Sequence, residues 1–240
     1  MCTIIGVIDP NSLIKVIFMV NRDKPVDKPF TGEDLRIMDE KIVGVYDYRS
    51  KGIASGFSLK SGVYGAVANI LGYMTENSRG VLLYKALAYS TTLKDAINIL
   101  YDEAKTGKYS AAVYVLGDEN NLVKIENFKE NISIKRSNKL MIATNFLESL
   151  DSNYYAKDSI ERMNIALDYL SVKNEYTLND FLILAKYHGK TASICRHGNK
   201  GQTLSSTIYI MDKNKKLFVK YAKGNPCTIP HKEFMFSIKD

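Results

Sequence analysis

The second residue of the chain, Cys2, has the clearest potential for covalent chemistry. Methionine aminopeptidases remove an initial methionine when a small residue follows it, and Cys2 directly follows Met1. Removal of Met1 would leave Cys2 with a thiol nucleophile and a free α-amine. Such an amine has a pKa of roughly 7.7–8.0 and could accept the thiol proton. The alternative is that Cys2 is only a small apolar residue at the start of a strand.

A catalytic cysteine would need polar partners, and several polar residues follow strand-like segments. The segment VNRDK contains Arg22 and Asp23, while GVYGAVANI and MIATNFL carry Asn69 and Asn145 near their ends. A nearby cation would favour a thiolate, and an asparagine amide could donate a hydrogen bond to the oxyanion that forms on attack at a carbonyl. Each asparagine could instead form a turn, and Arg22 and Asp23 could be a surface ion pair.

Cysteines and histidines also cluster near the C-terminus, where a metal site has to be considered. Cys195 and His197, together with Cys227 and His231, place two cysteines and two histidines in the last part of the chain. Structural zinc ligands usually come in pairs separated by about two to four residues, and the single residue between Cys195 and His197 is a shorter spacing. The odd, sparse cysteine count argues against a disulfide framework. We predict neither a metal site nor a cofactor.

Alternating apolar residues indicate the strands that would position these side chains. The first two predicted strands, TIIGVID and LIKVIFMVNR, would form a hairpin around the turn at residues 9–11. PVDKPFTGEDL has two prolines and no regular period, so we predict a loop there. The next predicted strands are KIVGVYDY, GIASGFSLKS and GVYGAVANIL.

Two pairs of helices interrupt the strands. Apolar residues recur at helical spacing in SRGVLLYKALAYS and TLKDAINILYDEAKTG, and again in AKDSIERMNIALDYLS and TLNDFLILAKYHG, the last predicted to end at Gly189. Further strands are predicted in YSAAVYVLGD, NLVKIEN, ISIKR, KLMIATNF, SSTIYIMDKNKKLFVKYA and KEFMFSI. This order lacks the strict β–α alternation of a parallel sheet. It predicts the α+β class, as one domain over residues 1–240: a four-layer αββα sandwich of two antiparallel sheets flanked by helices.

Composition and charge restrict the function classes. With 45% hydrophobic and 25% charged residues, the chain has the composition of a folded globular protein. No apolar run approaches the roughly 18 residues of a membrane helix, and no basic segment typical of a signal peptide precedes the first strand. We therefore predict a cytoplasmic protein without membrane association. The net charge of +7 makes nucleic-acid binding a third-ranked alternative, but the lysines are scattered and no nucleic-acid-binding motif is present.

Several motifs together resemble one enzyme superfamily. They are the Cys-Thr start, the Arg-Asp pair of NRDK, GVYGAVAN, the TN of IATNF, the helix DSIERMNIALDYL, and ICRHGN, TLSSTIYIMD and KGNPC towards the end. In this order they are similar to motifs of the choloylglycine hydrolase and penicillin acyltransferase superfamily of N-terminal nucleophile (Ntn) hydrolases. The last three resemble the acyltransferase branch in particular. The opening MC…NRDK and SRG also resemble the NRDE-motif proteins.

The resemblance implies a role for each matched residue. Cys2 would be the nucleophile and its own α-amine the base, with both groups at the mouth of a cavity. Arg22 would lie beside the thiolate, and Asp23 would hold the amine. Asn69 would donate to the oxyanion, and Asn145 would bind the amine or the tetrahedral intermediate.

The resemblance also implies a substrate class. Arg196 and Ser206 fall in family motifs and are candidate substrate-binding or scaffold residues. The expected activity is hydrolysis or acyl transfer at linear amide C–N or acyl thioester bonds of a small-molecule donor, without a metal. Penicillin acyltransferases are cut at an internal Gly-Cys bond, whereas here only Met1 would need to be removed. The sequence leaves open whether the chain forms a homo-oligomer. The alternative function is a non-catalytic relative of the same fold that binds an acyl or hydrophobic ligand.

Overall fold

A computed structural model describes residues 2–24, 32–70, 72–149, 156–198 and 201–238. Within these ranges the elements follow the predicted order of strands, two helices, strands, two helices and strands. The strands are β1 Cys2–Ile8, β2 Ile14–Lys24, β3 Glu33–Met38, β4 Ile42–Asp47, β5 Gly52–Ser58, β6 Tyr64–Asn69, β7 Ala112–Gly117, β8 Leu122–Phe128, β9 Asn131–Ser137, β10 Leu140–Thr144, β11 Gln202–Asp212, β12 Lys216–Lys223 and β13 Lys232–Ser237. The helices are α1 Arg79–Tyr89, α2 Leu93–Lys105, α3 Ala156–Ser171 and α4 Leu178–Ala185.

The strands form two antiparallel sheets that pack face to face. The first sheet has the order β10-β1-β2-β11-β12-β13, and the second has the order β3-β4-β5-β6-β7-β8-β9. Successive residues of a strand point to opposite faces. In β1, Ile4 and Ile8 therefore pack into the core between the sheets, while Ile5 and Val7 pack against α3 and α4. Helices α1 and α2 cover the outer face of the second sheet. The predicted α+β sandwich is confirmed.

Helices α2 and α4 begin at matched capping boxes. Thr92 and Asp95 cap α2, and Thr177 and Asp180 cap α4, each side chain bonding the backbone N–H of the other residue. Asp180 also accepts a hydrogen bond from Lys173 Nζ at 2.8 Å. Burial raises the pKa of Asp180, but these hydrogen bonds outweigh burial and lower it to about 2.

Helix α1 approaches β5 closely because two glycines meet at the contact. A Cβ atom on Gly80 would lie 2.8 Å from the carbonyl oxygen of Ile53, nearer than side chains normally pack. Gly52 faces the backbone of Gly80 in the same contact. The missing side chains let the first turn of the helix rest on the strand.

Two predicted boundaries were wrong. Strand β3 begins at Glu33, inside the segment predicted to be a loop, of which residues 25–31 lie outside the described ranges. Among the described strands this one pairs with β4 alone, and it is half exposed, so its apolar alternation is weak. Helix α4 ends at Ala185 rather than Gly189, because the chain turns back and Cys195 N bonds Tyr187 O at 3.1 Å. Among the described helices, none is long and apolar enough to cross a membrane.

Candidate active site

Strand register brings Cys2 beside Arg22. Cys2 begins β1 and lies opposite Arg22 of β2. Its side chain points into the core between the sheets and is 3% exposed. The thiol is therefore enclosed between the two sheets rather than exposed at the expected mouth of a cavity.

Arg22 is held by two carboxylates of the second sheet. Its Nε lies 2.5 Å from Glu33 Oε2, and its Nη2 is paired with Asp47 Oδ2. Glu33 also accepts a hydrogen bond from Ser205. Burial opposes the charged form, but Glu33, Asp47 and the neighbouring Cys2 hold the pKa of Arg22 above its usual value. The guanidinium is thus a fixed positive charge that connects the two sheets next to the thiol.

Asn145 connects Cys2 to the second sheet. It follows β10 directly, and its Oδ1 accepts a hydrogen bond from the Cys2 backbone nitrogen. Its Nδ2 donates to the Asn69 carbonyl oxygen at 2.6 Å, at the end of β6. The structure therefore brings Cys2, Asn69 and Asn145 together. Asn69 contributes its backbone to this contact, and the residue is exposed.

A buried arginine of α3 joins the same network. Arg162 is 0% exposed, and its Nη1 donates to Cys2 O and to Thr3 Oγ1, both at 2.8 Å. Its Nη2 lies 3.5 Å from Asn145 Oδ1, and its Nη1 lies 3.8 Å from Asp23 Oδ2. Arg162 therefore fixes both the backbone of Cys2 and the asparagine that binds the Cys2 nitrogen.

Asp23 lies on the helix-facing side of β2, whereas Arg22 faces the space between the sheets. Asp23 Oδ1 accepts a hydrogen bond from Thr203 Oγ1 at 2.7 Å. Burial raises the pKa of Asp23, and the charge of Arg162 acts in the opposite direction. Asp23 thus reaches the Cys2 backbone through Arg162.

The two candidate substrate-binding residues lie in different places. Arg196 Nη1 donates to Asp158 Oδ2 at 2.5 Å, and the same oxygen accepts from Arg162 Nε at 3.2 Å. Arg196 is therefore connected to the site through two side chains. Ser206 Oγ lies 3.0 Å from His231 Nε2, on the helix-facing side of β11. The structure does not bring Ser206 to the thiol.

Three charged residues that contact Arg22 or the Cys2 backbone were not identified from the sequence. The position of Arg162 could have been read from the sequence, because it shares helical spacing with Ala166 and Leu170 and therefore lies on the inner face of α3. The structure buries all three residues, together with Ser159. Glu33 and Asp47 have no such signal. Their pairing with Arg22 depends on how one sheet lies on the other.

Comparison with known proteins identifies the family of the chain. The sequence model of the acyl-coenzyme A:6-aminopenicillanic acid acyl-transferase family matches residues 51–226. The matched region covers more than two thirds of the chain and contains Asn69, Asn145 and Arg162, while Cys2 and Arg22 precede it. A comparison with individual curated proteins gave no match.

Proposed function

Because the chain belongs to the acyl-coenzyme A:6-aminopenicillanic acid acyl-transferase family, within the Ntn hydrolase superfamily, we propose that Cys2 is an N-terminal nucleophile that cleaves or transfers the acyl group of a linear amide or acyl thioester. One observation supports this assignment above the others. Both backbone polar atoms of Cys2 are bound by side chains, its nitrogen by Asn145 and its oxygen by Arg162. The residue whose thiol and α-amine would react is therefore held in place by two side chains.

Removal of Met1, which lies outside the described residues, would turn the Cys2 nitrogen into an α-amine. Asn145 Oδ1, which accepts from this nitrogen, would then orient the amine towards the thiol of the same residue. The amine takes the thiol proton as the sulfur attacks the substrate carbonyl carbon, and the carbonyl π electrons move to the oxygen. Arg22, close to the thiol, stabilises the sulfur anion during this step.

The tetrahedral oxyanion needs hydrogen-bond donors. Asn69, at the end of β6 and beside Asn145, is the proposed donor. As the intermediate collapses, the C–N bond breaks and the leaving amine takes the proton held by the α-ammonium, which leaves a thioester on Cys2. Water or an acceptor amine then attacks the thioester, and the thiol is regenerated. Arg162 is a positioning residue in this scheme.

Mass spectrometry of the purified chain after exposure to an activated acyl ester tests the proposal. We expect loss of Met1 and one acyl group on Cys2, located by peptide mapping. Cys195 and Cys227 are internal thiols without an α-amine and serve as built-in controls. Cys2→Ala should abolish the fast acylation while the circular dichroism spectrum stays unchanged. A folded chain that has lost Met1 but leaves Cys2 no more reactive than Cys227 would contradict the proposal.

The burial of Cys2, at 3% exposure, favours a second candidate function. In this alternative the chain is a non-catalytic relative that binds an acyl or hydrophobic ligand. Retention of Met1, an unreactive Cys2 and stoichiometric uptake of a fatty acyl ligand would support it over the enzyme.

A further inference from the structure

Four potential metal ligands meet outside the Cys2 network. The segment after α4 carries His188, Cys195 and His197, and the turn after β12 carries Cys227. One ligand atom from each of the four lies within 4.8 Å of the others. The Sγ atoms of Cys195 and Cys227 are 3.5 Å apart, and His197 Nε2 lies 3.6 Å from the first sulfur and 2.9 Å from the second.

Two of these three distances are close to the edges of a tetrahedral zinc site. Bonds of about 2.3 Å to sulfur and about 2.0–2.1 Å to nitrogen place two sulfurs about 3.8 Å apart, and a sulfur and a nitrogen about 3.6 Å apart. The separation of the two sulfurs and that of Cys195 from His197 are close to these values. The contact between His197 and Cys227 would have to lengthen by about 0.7 Å, a movement that exposed side chains allow.

The donor set selects the type of ion. Two thiolates and two imidazoles are soft or borderline ligands, which favour zinc over magnesium and calcium. Four protein ligands fill the tetrahedral shell and leave no position for a reactive water, so the site would be structural. Cys195 is buried while the other three ligands are exposed, and an ion can therefore enter from solvent.

Surrounding side chains hold this cluster in place. Asn225 Nδ2 donates to the Arg196 carbonyl oxygen at 2.6 Å and lies 3.9 Å from Cys195 Sγ. Gln202 Nε2 lies 3.3 Å from Asn225 Oδ1. Partners of this kind, outside the ligands themselves, orient the ligands of natural metal sites.

The expectation of no metal site was based on sequence spacing, and the tertiary structure changes the ligand set. His231, counted with Cys227 in the sequence, bonds Ser206 instead. His188, seven residues before Cys195, takes its place, and its ring stacks on that of His197 with centroids 5.0 Å apart.

We propose that one zinc ion binds to His188, Cys195, His197 and Cys227 and ties the segment after α4 to the turn after β12. On binding, the two cysteine thiols release their protons to solvent, because zinc takes thiolates and neutral imidazoles. Arg196 lies between two of the ligands and pairs with Asp158, which also binds Arg162. Through Arg196 and Asp158, the ion would therefore also help to fix the position of Arg162. The proposal does not depend on the acyl chemistry of Cys2.

Metal analysis of the full-length chain, purified with a thiol reductant and without chelator, tests the site. We expect one equivalent of zinc. After removal of zinc, titration with Co²⁺ should give one equivalent with the intense visible bands of tetrahedral cobalt and thiolate-to-cobalt charge transfer, and added zinc should bleach them. Cys227→Ser and His188→Ala should each weaken Co²⁺ binding by more than about 100-fold, beyond the loss typical for a partner outside the ligand shell.

Matched control variants come from the same chain. Cys2→Ser removes a thiol and His231→Gln removes an imidazole outside the cluster, and both should keep one equivalent of metal. A chelator should lower the melting temperature of the parent chain and leave that of Cys227→Ser unchanged.

Three outcomes would overturn the zinc site. The reduced parent chain could fail to bind Co²⁺ stoichiometrically. Bound cobalt could give only the weak spectrum of octahedral coordination, unaltered in Cys227→Ser. A disulfide between Cys195 and Cys227 in protein prepared under reducing conditions would also exclude the site, since oxidised sulfurs are not thiolate ligands.

Discussion

Replacement of Arg162 by methionine should destabilise the fold strongly. Methionine has a similar length and fills the same buried space, but it cannot donate to Cys2 O or Thr3 Oγ1 and carries no charge to oppose that of Asp23. The carboxylate of Asp23 would then be buried with its nearest guanidinium missing.

The magnitude follows from the distance between the charges. Arg162 Nη1 and Asp23 Oδ2 are 3.8 Å apart, which at an effective dielectric constant of about 20 corresponds to about 4 kcal/mol. Removing one partner of a buried pair typically costs about 3–5 kcal/mol. We expect Arg162→Met to lose about 4 kcal/mol of unfolding free energy, a large part of the roughly 5–15 kcal/mol of an average domain.

Urea denaturation at neutral pH, followed by circular dichroism, measures this loss in a double-mutant cycle. Asp23→Asn in the Arg162→Met background should restore part of the stability, with a coupling energy of about 2–3 kcal/mol. Arg162→Lys keeps the charge but lacks the planar fork, so it should retain the coupling and lose the hydrogen bonds. Arg136→Met, on the exposed side of β9, is the control and should change stability by less than about 0.5 kcal/mol.

Two results would refute this reasoning. A loss below about 1 kcal/mol for Arg162→Met would mean that the buried guanidinium contributes no more than an ordinary surface pair. A coupling energy with Asp23 near zero would mean that the destabilisation comes from packing alone.

The remaining predictions concern the site, one cap and one close contact. Asn69→Ala should reduce the acylation rate by about 10²–10³ if its amide binds the oxyanion, and a loss under about threefold would remove that role. Asn145→Ala should slow acylation while the melting temperature stays near that of the parent, and a collapsed fold would indicate a structural turn instead. Burial raises the pKa of Asp180, but its hydrogen bonds outweigh burial and lower the pKa to about 2. This carboxylate therefore stabilises the fold above its unfolded pKa, and about 2 kcal/mol of unfolding free energy is lost as the pH falls from about 4 to 2. Acid denaturation of Asp180→Asn should lack that slope, whereas Asp95→Asn, at the matched cap of α2, should retain it. Gly80→Ala should lower the melting temperature because the new Cβ would lie 2.8 Å from a strand carbonyl oxygen. The expected loss opposes the helix propensity of alanine, which normally stabilises a helix by about 1 kcal/mol relative to glycine. An unchanged or higher melting temperature would show that the helix can shift without cost.

The helices and most strands were predictable because their signals are local. Helix α3 runs from Ala156 to Ser171, which is the segment that the apolar spacing predicts. Strand β3 was missed because it lies at a sheet edge with one neighbour and little apolar alternation. The end of α4 was misplaced because a contact of Tyr187 with Cys195, rather than Gly189, turns the chain.

The sequence by itself determined the order of elements, the two-sheet class and the set of polar residues that end the strands near Cys2, because periodicity and strand ends depend on neighbouring residues. Only the tertiary structure decided which of these residues meet. Asn145 reaches Asn69 across two sheets, and His188 rather than His231 joins the two cysteines. Such contacts depend on how distant surfaces stack and on how loops return, and neither leaves a repeating pattern along the chain.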